Sequence, residues 1–185
     1  MSLLSRRQPT VLLPLIASAS LTLSACSDDE QPSGSVEVTV MTRNIYLGGN
    51  IFRLSEAQSR QEIPGIAAEL YRTVETTNFP ARAQALAAEI EAKKPALVGL
   101  QEVSLYRTQH PGNFFSNGAV DAMVDAYDFT ALLQLAIKER GLDYRVAAKV
   151  KNGDSELPAA LSGSASDLTD IRLTDYDVIL ARGDV

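Results

Sequence analysis

KPALVGLQEVSLYR, Lys94–Arg107, begins with a helix stop and runs directly into a buried strand. Pro95 cannot continue a helix. Ala96, Leu97, Val98 and Leu100, interrupted only by Gly99, then make the short apolar run of a strand covered on both faces. The run halts at Gln101-Glu102. A carboxylate at the tip of a buried strand does not serve packing, because an unpaired buried charge costs several kcal/mol. It needs a cation or a hydrogen-bond network, and Glu102 is accordingly read as a metal ligand.

Upstream, Pro80 to about Lys93 carries Phe79, Ala83, Leu86, Ala87 and Ile90 on one stripe, with Lys93-Lys94 suited to the negative end of the helix dipole. Arg53–Thr77 reads as two helical pieces. Ser55 is an N-cap for the first and Pro64 falls in the first turn of the second, which sets Ile63, Ile66, Ala67, Leu70 and Val74 on one face. Val36–Thr42 alternates, with Val36, Val38 and Val40 against Glu37, Thr39 and Met41, and is a strand. It ends at Arg43-Asn44, before the breaker Gly48-Gly49-Asn50. Asn44, taken alone, is a turn residue capping its own backbone. Strand, helical crossover, strand predicts an α/β architecture.

Downstream of Arg107 comes a loop with Pro111, Gly112, Asn113, Asn117 and Gly118, in which the lone His110 has no companion at ligand spacing. Asp128 caps a helix to Arg140, closed by Gly141 as a left-handed C-cap. Tyr144–Val150 is a strand, Asn152–Asp170 a long loop, and Ile171–Leu173 with Asp177–Arg182 a hairpin around Thr174-Asp175-Tyr176. Arg182-Gly183-Asp184 spells an integrin-recognition tripeptide, but three residues at a strand end match by chance too readily to carry a function.

The 185 residues suffice for one domain with a sizeable core. Taking Arg6 and Arg7, which lie in an N-terminal segment without acids, from the 17 basic residues leaves 15 against 23 acidic ones, a net of −8. Such a surface disfavours non-specific phosphate-backbone binding and is no obstacle to a divalent cation. Residues 1–25, with Arg6-Arg7 and the apolar, Ser-rich core Val11–Leu23, read as a signal peptide too short to span a membrane comfortably. Leu23-Ser24-Ala25-Cys26 resembles the lipobox of bacterial lipoproteins, whose cysteine is acylated. The resemblance implies lipidation at Cys26, export, and a lipid anchor to the bacterial membrane. With Ser27 rather than Asp next, the outer membrane or cell surface is favoured. Residues 26–35 (CSDDEQPSGS) form a flexible tether, and the sole cysteine rules out an intrachain disulfide.

Three segments carry a family resemblance: Val40-Met41-Thr42-Arg43-Asn44, the helix containing Arg82, and Leu97-Val98-Gly99-Leu100-Gln101-Glu102-Val103. In this order they resemble the opening half of the endonuclease/exonuclease/phosphatase superfamily, the DNase I-like phosphoesterases. Tyr176–Arg182 is similar to a further strand of that fold. The resemblance covers residues 36–185 and implies a four-layer sandwich of two mixed β-sheets flanked by helices, present here as its N-terminal part. It implies that Glu102 binds a divalent metal, Mg²⁺ or else Mn²⁺ or Ca²⁺, and that Asn44 helps hold the metal or the phosphate. The chemistry agrees, since Mg²⁺ takes hard oxygen ligands, only one or two of them carboxylates, and leaves its other positions to water and phosphate. Ala96 departs from the Asp that the family often carries after the proline.

The implied function is metal-dependent hydrolysis of phosphate esters, from nucleic acid to lipid or inositol phosphates, by a monomer. The family's later Asp-x-Asn and Asp-His motifs have no counterpart up to Val185. The chain is therefore expected to be an incomplete piece, inactive by itself. The alternative is a non-catalytic surface lipoprotein that uses the same sandwich as a binding module.

Overall fold

Strand β6 (Thr169–Arg182) is the axis of the molecule, with a different set of neighbours on each edge. The computed structural model describes residues 37–185; Cys26, the signal segment and the tether lie outside them. Along one edge β6 pairs antiparallel with β5 (Tyr144–Ala159) for almost its whole length. Along the other edge two short strands lie end to end. These are β2 (Leu97–Gln101), opposite Val178–Ala181, and β3 (Leu105–Gln109), opposite Asp170–Thr174. Outside β2 runs β1 (Val40–Asn44), parallel to it; outside β3 runs β4 (Val124–Asp128), antiparallel. The described residues thus make one mixed, open six-stranded sheet with helices, an α/β fold.

The parallel β1–β2 pair requires a crossover, and α1 (Ile63–Thr76) and α2 (Phe79–Lys93) supply it. A short 3-10 helix, Ile51–Glu56, precedes α1, and Pro64 sits in the first turn of α1. Asn78 caps α2 with its side chain, accepting the Ala81 N–H. Lys94 then closes α2 in the left-handed region and Pro95 leads into β2. After the four-residue α3 (Phe114–Asn117), α4 (Phe129–Glu139) starts at the Asp128 cap, whose Oδ1 accepts the Ala131 N–H at 3.0 Å. Gly141 follows at φ +71, as its place after the helix predicts.

The core joins one face of the sheet to the helices: Val98, Leu100, Val178 and Leu180 meet Ala67 and Tyr71 of α1, Ala83, Ala87 and Ile90 of α2, and Leu133, Ala136 and Ile137 of α4. Phe79 and Phe129 stack within it, ring centroids 3.7 Å apart and ring planes nearly parallel. The opposite face is different. Val40, Thr42, Leu97, Gly99, Ile179 and Ala181 share it by register, and Val40 and Ile179 are 66% and 43% exposed.

Five expectations need correction. Ser55 caps no helix start; Asn50 caps the short 3-10 helix, accepting the Phe52 N–H at 3.2 Å. The first strand begins at Val40, not Val36. The segment after Arg107 is not all loop, because β3 and β4 form a hairpin around it. Asn152–Asp170 is strand as far as Ala159, and β6 is one strand where a hairpin was expected. For the missed length of β5 the physical reason lies in its polar content. The outer face of β5 carries Asp154 and Glu156 toward other polar groups, so the apolar alternation that marks a half-buried strand never appears.

Candidate functional site

Between Leu100, opposite Val178, and Leu105, opposite Thr174, the β2–β3 edge has four residues where β6 has three. The extra residue makes a bulge, a device that re-aims a side chain and often lies beside functional sites. Val103 keeps the edge attached by donating its N–H to Tyr176 O at 2.9 Å. Glu102 absorbs the irregularity at φ +59, a left-handed conformation that non-glycine residues adopt at a cost of about 1–2 kcal/mol. Alternation after Gln101 would aim Glu102 at the helical face. The left-handed turn sends its carboxylate to Asn44, at the end of β1.

The structure brings the two sequence-predicted site residues into contact. Asn44 Nδ2 donates to Glu102 Oε1 at 2.6 Å, and the Leu47 N–H donates to Glu102 Oε2 at 2.8 Å. Asn44 Oδ1 in turn accepts the Tyr46 N–H at 2.8 Å. Asn44 therefore caps its own turn, as its residue type predicts, and also holds the Glu102 carboxylate. Each carboxylate oxygen accepts one hydrogen bond and keeps lone-pair capacity for another partner.

The loop after β1 is held by a part-buried arginine and a buried tyrosine that the sequence did not single out as site residues. Arg82 of α2 donates to Ile45 O, to Tyr46 O at 3.2 Å and to Thr77 O at 3.0 Å. Its guanidinium lies over the rings of Phe79 at 4.9 Å, Tyr46 at 5.7 Å and Phe129 at 5.8 Å. Burial pulls the Arg82 pKa down from its ordinary value. The Tyr106 hydroxyl donates to Leu47 O at 2.9 Å, and burial pushes that phenol well above the usual range. Leu47 is thus fixed at its carbonyl while its N–H serves Glu102. Gly48 completes the loop at φ +106, where a Cβ would also press on Val74 and Thr77 at 3.2 Å.

An apolar cavity of about 170 Å³ lies under this loop, lined by Leu47, Leu70, Tyr71, Val74, Tyr106 and Leu157 among others. Neither Asn44 nor Glu102 lines it, so it is a gap beneath the loop and not the cleft of the site. His110 stands at the far end of β3 from Glu102, exposed, with Nδ1 3.2 Å from Thr169 Oγ1 and Nε2 3.6 Å from Asp167. Arg182 of the Arg-Gly-Asp tripeptide is tied to Asp184 at 2.6 Å and to Lys94 O, which leaves no free recognition loop there.

Among the described residues no group of three or more His, Cys, Asp or Glu is placed to hold a metal ion. Glu102 is a single carboxylate, partly buried just past the end of β2. This donor set does not fit a closed protein cage. It fits Mg²⁺, which commonly takes one or two carboxylates and fills the rest of its octahedron with water and phosphate oxygen. Compared with known proteins, the chain matches no family model, no curated protein and no solved structure.

Proposed function

We propose that this chain carries the metal-binding half of a divalent-metal-dependent phosphoesterase of the DNase I-like kind, with Glu102 as the metal ligand. The observation that carries the reading is the backbone of Glu102. A glutamate held left-handed in a bulge, with both oxygens braced from Asn44 and Leu47, is oriented at an energetic cost that packing does not require. A Mg²⁺ bound there would polarise a phosphoryl oxygen and stabilise charge on the leaving group. Asn44 fixes the rotamer of Glu102 and, being exposed, is within reach of a phosphate oxygen. Arg82 and Tyr106 keep the Ile45–Leu47 backbone in place behind the ligand.

In this reading the six-stranded sheet is one layer of a two-sheet sandwich. The second sheet would cover Val40, Ile179 and Val150, which share the open face and are 66%, 43% and 62% exposed. The general base would come from outside residues 37–185, since His110 is remote from Glu102, and these residues alone would not turn over substrate. We place the protein on a lipid anchor at Cys26 with extracellular nucleic acid or a lipid headgroup as substrate. The basis is the lipobox-like segment and the acidic composition.

The test is Mg²⁺-dependent hydrolysis of bis-p-nitrophenyl phosphate by the full-length gene product and its Glu102→Ala variant. Loss of activity with an unchanged circular dichroism spectrum supports the assignment, and undiminished activity ends it. A second reading, a binding module without catalysis, is favoured by one observation: Glu102 already has a protein partner on each oxygen. On that reading Mg²⁺ leaves the melting temperature unchanged, whereas a working site gains stability on binding it.

A further inference from the structure

The far half of the β5–β6 ladder carries one face of largely buried charges, and they are unequally matched. Asp154 takes most of the cations. Arg172 grips both of its oxygens at 2.8 Å, Lys151 lies 3.6 Å away and Arg107 3.8 Å away. Glu156 and Asp170, on the same face, are 2% and 0% exposed and form no ion pair among the described residues. Each has one oxygen satisfied by backbone. Glu156 Oε2 accepts the Ala122 N–H at 3.0 Å, and Asp170 Oδ2 accepts the N–H groups of Asn113 and Phe114 at 2.5 and 2.8 Å. Glu156 Oε1 and Asp170 Oδ1 are fully buried and bare.

A third bare oxygen belongs to the same neighbourhood. The Asn113 amide is fixed by its nitrogen, which donates to Asp121 Oδ2 at 3.2 Å and to the Gln109 carboxamide oxygen at 2.9 Å once that group is turned to satisfy Asp121. That leaves Asn113 Oδ1 buried without a partner. Gly112 makes the close approach possible, since a Cβ there would lie 2.7 Å from Asp170 Oδ1. Buried charges are paired or coordinate a metal, because desolvation is otherwise uncompensated. On the ladder Glu156 faces Arg172 and Pro158 faces Asp170, so the two carboxylates are diagonal neighbours. Diagonal neighbours stand about 7–8 Å apart at the backbone, a gap that one cation bound from both sides closes.

We propose that Glu156, Asp170 and Asn113 form a calcium site, separate from Glu102, that locks the β3–β4 hairpin onto β5 and β6. Ca²⁺ suits the donors better than Mg²⁺ does. It accepts carboxylate, amide and water oxygens in irregular geometry, whereas Mg²⁺ demands a near-ideal octahedron. Two carboxylates place the affinity at the weak end of protein calcium sites, about 10⁻⁴–10⁻³ M. Without the cation, burial and the neighbouring carboxylates of Asp170 and Asp121 raise the Glu156 carboxyl.

The test is calorimetric titration of the EDTA-treated full chain with CaCl₂, in a Glu102→Gln background so that Glu102 does not contribute. Binding of one Ca²⁺ with a rise in melting temperature is expected, weakened at least tenfold by Glu156→Gln and by Asp170→Asn. Asn113→Asp, which adds a carboxylate, should tighten binding and guards against the case in which the first two variants fail to fold. No heat and no thermal shift in the Glu102→Gln protein at about ten times the Kd, about 10 mM, overturns the proposal. So does equal binding by the Glu156→Gln variant. A melting temperature that responds to pH through Glu156 but not to Ca²⁺ would mean a buried protonated acid in place of a cation site.

Discussion

Replacing Glu102 by glycine and by alanine separates what its side chain contributes from what its backbone costs. Both variants lose the hydrogen bonds from Asn44 at 2.6 Å and Leu47 at 2.8 Å. Hydrogen bonds to charged groups contribute about 1.5–3 kcal/mol when shielded, and partial exposure at the end of β2 reduces these to about 1 kcal/mol each. Alanine keeps the left-handed strain, so Glu102→Ala should destabilise by about 2 kcal/mol. Glycine releases about 1–2 kcal/mol of strain and gives part of it back through the entropy of the unfolded chain. Glu102→Gly should therefore exceed Glu102→Ala by about 1 kcal/mol. With an m-value of about 2 kcal/mol/M, that is a urea midpoint about 0.5 M higher, readable by far-ultraviolet circular dichroism. An alanine variant as stable as the glycine variant, or more so, would refute the bulge at Glu102. If the strain serves orientation of a ligand, both variants also lose any Mg²⁺-dependent rise in melting temperature.

Arg82→Ala should destabilise by about 2–4 kcal/mol, from lost charged hydrogen bonds to three carbonyls and lost ring contacts, whereas Arg82→Lys should recover only a minor part. Urea unfolding checks both, and a lysine variant equal to the parent would mean that the fork of donors is not used. Asp154 predicts an acid limb. Arg172 beside it holds its carboxyl well below the usual carboxylate range. The stability this contributes is fully present above the ordinary carboxylate pKa and is lost as the pH falls below it. Asp154→Asn should lower the melting temperature at neutral pH and flatten its fall between about pH 4 and pH 2; an unaltered acid slope would argue against the Arg172 pair.

The helices were legible because their signals are local. Pro64, the Asp128 cap, the stop at Pro95 and the left-handed Gly141 each act within one turn of chain, and each stands where the periodicity put it. The parallel β1–β2 pair followed from the helical crossover. β3, β4 and the far half of β5 were hidden because their partners are polar groups distant in sequence. Arg107, Asp154 and Arg172 lie far apart in sequence, and the ladder brings them together.

At the site the division is the same. The amino-acid sequence by itself determined the residue types, an asparagine ending one strand and a glutamate ending the next, with a crossover that sets those strands side by side. Tertiary structure decided the rest. The bulge arises from a count of residues between two segments pairing with β6, and no local propensity encodes that count. It turns Glu102 away from the helical face and onto Asn44. Side-chain direction in a strand follows a period of two, and one inserted residue reverses it.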